Sequence, residues 1–148
     1  MRISYSRIDT YQRCPHKYEL AYVQKVPVPE PGIFALGSAV HDALKFMHSP
    51  GRLESPSLEA VIKEYCRSFE ARARTLAADE KERLFESGVA MLTRHYEKEG
   101  GRLDAGRVVG NVELDFAVPF GNGHSVCGRI DRIDVLPDGS LEVIDYKT

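Results

Sequence analysis

Asp131, Asp145 and Lys147 are the residues whose types and spacing could do chemistry in this sequence. Between the alternating runs Ser125 to Leu136 and Leu141 to Lys147 sits Pro137-Asp138-Gly139. Proline suits the second position of a type I turn and glycine the left-handed residue after it, which together mark a three-residue hairpin loop with a bulge. Such a loop pairs Leu136 with Ser140. Counting outward, Val135 faces Leu141, Ile133 faces Val143, Asp131 faces Asp145 and Arg129 faces Lys147. A one-residue slip would set Val135 against Glu142 and send every side chain of one strand to the wrong face. Two carboxylates directly opposite, with Cα atoms about 4.5–5.5 Å apart, repel each other. A hard divalent cation removes that repulsion. Lys147 follows Asp145 on the same face. A carboxylate pair beside an ammonium suits phosphodiester hydrolysis: the cation polarises the phosphoryl oxygen and acidifies a bound water, and the ammonium orients that water or stabilises developing charge. The plainer alternative is a set of solvated surface charges worth about 0–1 kcal/mol. Asp134 and Glu142 fall on the opposite face and read as ordinary exposed charges.

The elements that must position these residues divide the chain in half. Ser4 or Ser6 can cap a short helix through about Arg13, and Pro15 fits the first turn of a second through about Val23. Pro27-Val28-Pro29-Glu30-Pro31-Gly32 reads as an extended connector. Val40, Leu44 and Met47 recur at helical spacing in a helix from about Leu36 to Met47, ended by Ser49-Pro50-Gly51. Two charged helices follow, Ser57 to Arg74 and Asp79 to Glu99, with Val61, Ile62, Tyr65, Phe69, Leu84, Val89, Leu92 and Tyr96 suited to one-sided burial. Gly100-Gly101 closes the helical half, and Val108 to Val118 reads as a strand ahead of the hairpin. The pattern is that of an α/β chain of α+β character, a helical N-terminal half followed by a three-stranded antiparallel meander.

The chain has 148 residues, 43% hydrophobic and 28% charged, which is a soluble globular composition. No apolar run is long enough for a membrane helix, and the N-terminus lacks the apolar stretch of a signal peptide. A net charge of −2 argues against nucleic-acid binding by the whole surface through charge alone. Residues 1–26 differ, with Arg2, Arg7, Arg13, Lys17 and Lys25 against Asp9 and Glu19, and with Tyr5, Tyr11, Tyr18 and Tyr22 interleaved. That segment is a candidate for DNA backbone contact, the tyrosines alternatively being core. Cys14, Cys66 and Cys127 are odd in number and widely spaced, as expected of reduced cysteines in a cytoplasmic protein.

Three segments, in order, carry a resemblance. Gly128-Arg129-Ile130-Asp131-Arg132-Ile133-Asp134, a hairpin, and Val143-Ile144-Asp145-Tyr146-Lys147-Thr148 resemble the PD-(D/E)xK nuclease signature in its RecB-like branch. Residues 4–18, Ser4-Tyr5-Ser6-Arg7-Ile8-Asp9-Thr10-Tyr11-Gln12-Arg13-Cys14-Pro15-His16-Lys17-Tyr18, resemble the opening of RecB/AddB-type and CRISPR-adaptation nuclease domains. Gly37-Ser38-Ala39-Val40-His41-Asp42-Ala43-Leu44 resembles their helix bearing a metal-binding histidine.

The resemblance implies that Asp131 and Asp145 hold Mg²⁺ or Mn²⁺, with His41 and the backbone carbonyl of Tyr146 as further ligands and Lys147 as the catalytic lysine. Ile130 stands where the family's name has proline, a frequent variation in this branch. Glu113 stands where relatives often carry glutamate and takes a supporting role, the alternative being a plain exposed strand residue. His16, His48, His95 and His124 receive no role. Arg7, Arg13 and Lys17 are candidate DNA contacts. In the iron–sulfur members a cysteine before proline supplies one ligand, the place of Cys14, but a [4Fe–4S] cluster needs four thiolates and so requires cysteines beyond residue 148. Otherwise Cys14 is a small buried hydrophobe.

The family fold continues with a Gln/Tyr helix and a further core strand. Residues 1–148 are thus expected to form an incomplete restriction-endonuclease-like core, truncated and weakly active or inactive alone, with an open sheet edge that a neighbouring molecule could cover. The implied function is a metal-dependent DNA nuclease, an exonuclease of repair or recombination, with DNA and a helicase as partners. The alternatives are a nuclease-like DNA-binding or assembly module without catalysis, and a scaffold with an accidental acidic hairpin that binds no metal.

Overall fold

The computed structural model describes residues 2–27, 31–52, 54–99 and 106–147. The element order is β1 (Arg2–Ile3), α1 (Tyr5–Arg13), α2 (Pro15–Tyr18) running into a π-helical turn (Glu19–Val23), α3 (Gly32–Met47), α4 (Leu58–Arg72), α5 (Ala78–Glu99), β2 (Val108–Phe120), β3 (His124–Val135) and β4 (Leu141–Ile144). The chain divides into two compact units, one of residues 1–29 and 114–130 and one of residues 30–113 and 131–148.

In the second unit α3, α4 and α5 pack together. Leu36, Ala39, Val40, Ala43, Leu44 and Met47 line one stripe of α3, and all are buried. Ala39 and Ala43 are wholly buried, and their small side chains let neighbouring helices come close. Ser57 caps α4 by accepting the Ala60 N–H at 3.2 Å. Val61, Tyr65 and Phe69 then follow at four-residue intervals, all fully buried. The Tyr65 hydroxyl donates to the carbonyls of Leu84 (3.3 Å) and Phe85 (3.2 Å). A Cβ at Gly88 would lie 2.2 Å from that hydroxyl oxygen, so α5 needs glycine there.

α3 starts at Gly32, four residues ahead of the start that the apolar spacing marks. Ile33 and Phe34 are exposed and lie off the stripe, so periodicity does not register this first turn. Val28, Pro29 and Glu30 of the expected connector, and Gly100-Gly101, lie outside the described residues.

The hairpin adopts the register that its turn dictates. Val135 pairs with Leu141 and Ile133 with Val143. The Leu136 N–H donates to the Ser140 carbonyl at 2.9 Å, and Gly139 takes φ +83°. β4 ends at Ile144, opposite Arg132, three residues short of the expected Lys147. The ladder therefore stops before an Asp131–Asp145 or Arg129–Lys147 pair forms.

In the first unit Ser4 caps α1, and β1 pairs in parallel with Ser125 and Val126 of β3. This makes a mixed sheet of four strands instead of an antiparallel meander of three. A strand of two residues has no period for a sequence reading to find. A Cβ at Gly128 would sit 2.8 Å from the Phe116 ring, which explains the glycine ahead of Arg129. Among the described residues no helix is long and apolar enough to cross a membrane.

Candidate metal centre and its supporting network

Asp131 opens the second unit's part of β3, and His41 lies on α3 beside the buried Val40. The His41 Nδ1 is 3.4 Å from Asp131 Oδ1 and 3.6 Å from Glu113 Oε1. One ligand atom from each of the three residues lies within 4.8 Å of the others, and all three side chains are half-buried. The second oxygen of Asp131 accepts the Tyr146 backbone N–H at 2.7 Å, which fixes the carboxylate's orientation. Two carboxylates and an imidazole form a mixed oxygen–nitrogen donor set, which fits a divalent cation.

Glu113 reaches this place through an unusual backbone. Its φ of +52° is left-handed, a conformation that costs a non-glycine residue about 1–2 kcal/mol. Nothing in the alternation of β2 signals that turn. With its side chain 15% exposed, Glu113 is no plain surface residue of the strand. Glu113→Gly is expected to be more stable than Glu113→Ala by about 1 kcal/mol in urea unfolding, the reverse of the usual strand order. Equal or inverted midpoints would show that the backbone carries no such strain.

Asp145 stands apart from the three-residue group. Its carboxylate is ion-paired with the Lys147 ammonium, and the two side chains are 59% and 84% exposed. The pair lines a cavity of about 310 Å³ together with Tyr146 and residues of α3 and α5. The structure thus brings His41, Glu113 and Asp131 together and places Asp145 with Lys147.

Behind Tyr146 lies a network that the sequence reading missed. Asp134 is buried, not exposed, and the guanidinium of Arg132, buried with it, meets both carboxylate oxygens at 2.6 Å. Arg132 Nη1 also donates to Glu99 (3.0 Å), and it lies 3.0 Å and 3.1 Å from Nδ1 and Nε2 of His48 and 3.4 Å from the Tyr146 hydroxyl. Arg107 approaches Asp134 at 3.4 Å and pairs with Glu142. Leu141 and Val143, expected on the apolar face, are 65% and 62% exposed. Register decides which residues are opposite, but it does not decide which face meets the helices.

His48 and His95, given no role from sequence, hold their Nε2 atoms 2.9 Å apart. Arginine only donates, and Arg132 Nη1 lies 3.0 Å from His48 Nδ1 and 3.1 Å from Nε2, so it favours the neutral imidazole, whose lone pair can accept from it. Burial, and then the charge of Arg132, push the His48 pKa down to about 3. Burial lowers His95 as well. The unfolded chain therefore takes up protons near pH 6.5, its ordinary value, while the native state refuses them until about 3. Stability is present above that window and declines as the pH falls through it. The thermal midpoint is expected to drop between about pH 7 and pH 5. An unchanged midpoint would contradict a neutral buried His48.

In the first unit Arg7 donates to the Arg2 carbonyl (3.0 Å) and lies over the Tyr22 ring, while Arg13 pairs with Asp9 (2.9 Å) and Lys17 is exposed. Tyr5 and Tyr11 are exposed. Cys14 is exposed too, not a buried hydrophobe, because its sulfur caps α2 by accepting the Lys17 N–H at 3.4 Å. Arg129 forms a two-pronged pair with Asp115.

Residues 2–148 match the PD-(D/E)XK nuclease superfamily. The chain is also similar to an ATP-dependent helicase/deoxyribonuclease subunit of Carboxydothermus hydrogenoformans, with 28% identity over 174 residues. That alignment covers 99% of this chain and 16% of the relative, so the chain spans about a sixth of the relative's length.

Proposed function

The chain belongs to the PD-(D/E)XK nuclease superfamily, and from that premise we propose that it is the nuclease module of a DNA-processing protein, hydrolysing phosphodiester bonds with Mg²⁺ or Mn²⁺. The observation that carries this reading is the approach of His41, Glu113 and Asp131 to within 4.8 Å of one another. The relative's name supports DNA as substrate and a helicase activity as the companion function. Exonucleolytic action in repair or recombination, in the cytoplasm, belongs to the same proposal.

His41, Glu113 and Asp131 would hold the cation, with Asp145 and the Tyr146 carbonyl as further candidate ligands. A bound divalent ion supplies a polarised phosphoryl oxygen and a water of lowered pKa. The chain's own residues do the rest. Tyr146 N–H holds one oxygen of Asp131 and leaves the other toward His41. Asp145 holds the Lys147 ammonium at the mouth of the adjoining cavity, where it can orient the attacking water and offset charge on the phosphoryl group. Water forms a new bond to phosphorus, and one ester P–O bond breaks to leave a phosphate end and a hydroxyl end.

Lys147→Gln, made in the DNA-processing protein that carries this module, tests the assignment. Cleavage of a labelled oligonucleotide in Mg²⁺ or Mn²⁺ is expected to fall about 10²–10³-fold, the usual cost of one lost charge-stabilising donor. Mn²⁺ affinity should stay near that of the wild type. Undiminished cleavage would remove Lys147 from the chemistry. Metal binding and DNA binding by a wild-type protein that never cuts would favour the module without catalysis.

A further inference from the structure

The cavity of about 310 Å³ beside Lys147 has features that the metal centre does not account for. Its floor is apolar, from Val40, Leu44 and Met91, and its rim carries Arg94 and Lys98 of α5. These two cations are four residues apart, so they stack on one face of the helix with Cβ atoms about 5–6 Å apart. Both are exposed, and neither has a hydrogen bond or ion pair among the described residues. With Lys147, just beyond β4, three cations border one groove, and the acid that lines it, Asp145, is already paired with Lys147. A row of cations over an apolar floor complements a nucleic-acid strand, whose phosphates repeat at a spacing that adjacent side chains of a helix face can follow while the sugars meet the floor.

We propose that Arg94 and Lys98 grip two phosphates of the DNA strand in a groove that starts at Lys147, so that α5 is a substrate-binding element. The inference rests on the nuclease reading and extends it to a part of the chain outside the metal centre. The grip is electrostatic and needs no metal, so binding is measurable without cleavage.

The test is fluorescence anisotropy of a labelled single-stranded oligonucleotide with the purified protein in EDTA, across a series of KCl concentrations. Arg94→Ala with Lys98→Ala is expected to weaken binding and to flatten the plot of log affinity against log salt by about 1.4, or about 0.7 for each lost phosphate contact. Lys63→Ala with Arg83→Ala removes the same charge from exposed positions outside the groove and is expected to leave the slope unchanged. A groove variant with the wild-type slope, or a control pair that flattens it equally, overturns the proposal. If the slope is unchanged while Lys147→Gln still abolishes cleavage, the groove assignment fails and the nuclease stands. A wild-type protein that binds no oligonucleotide at all overturns both.

Discussion

Arg132→Ala is expected to destabilise the helical unit by about 3–5 kcal/mol, because it leaves Asp134 charged and fully buried with its main partner gone. At this chain length the loss lowers the thermal midpoint by roughly 10 °C. Arg107, 3.4 Å from the same carboxylate, compensates only in part. Asp134→Ala should cost less, since the guanidinium, 3% exposed, loses its two-pronged partner but keeps Glu99 at 3.0 Å. Replacing both partners with apolar residues, Arg132→Met with Asp134→Leu, is expected to recover most of the stability, because neither fully buried charge then remains and Glu99 and Arg107, which lose a partner, are each 31% exposed. Thermal and urea unfolding of the three variants read this directly. If the double variant is as unstable as the sum of the singles, the pair is valued for its geometry and not for mutual neutralisation. The network also reaches the candidate metal centre, because Arg132 touches the hydroxyl of Tyr146, whose N–H holds Asp131.

Asp131→Asn is expected to abolish measurable cation binding and to reduce cleavage by at least about a hundredfold. The substitution keeps the shape and, through the amide oxygen, an acceptor for the Tyr146 N–H, so the loop after β4 should keep its place. What it removes is the negative charge 3.4 Å from His41 Nδ1. Loss of an outer-shell partner typically costs about 10–100-fold in metal affinity, and loss of a ligand should exceed that. Calorimetric titration with Mn²⁺, run beside a thermal scan that verifies folding, separates a ligand from a structural acid. Wild-type affinity in the asparagine variant would exclude Asp131 from the cation site.

Much of this could be read from local chemistry alone. Ser4 and Ser57 cap their helices because a short polar side chain can satisfy a free N–H within its own turn. The hairpin register follows from Pro137-Asp138-Gly139, since a left-handed glycine in a three-residue loop allows only one pairing. His41 falls at the edge of the α3 stripe, and the structure places its ring against Asp131. Other features depend on contacts between residues far apart in the chain. Asp134 looked exposed because a strand's alternation separates two faces without saying which one the helices will cover. The buried face proved to be the charged one, tolerable because Arg132 and Asp134 neutralise each other on it. His48 and His95, 47 residues apart, meet only when α3 packs on α5. Glu113 turns inward through a left-handed backbone that no side-chain pattern encodes. Sequence by itself determined the longer helices, the caps Ser4 and Ser57 offer and the pairing of the hairpin, because those depend on neighbours along the chain; the two-residue β1, whose partner lies more than 120 residues away, was not among them. Only the tertiary structure decided which side of the hairpin is buried and which acids meet His41, because burial and long-range charge pairing are properties of packed surfaces.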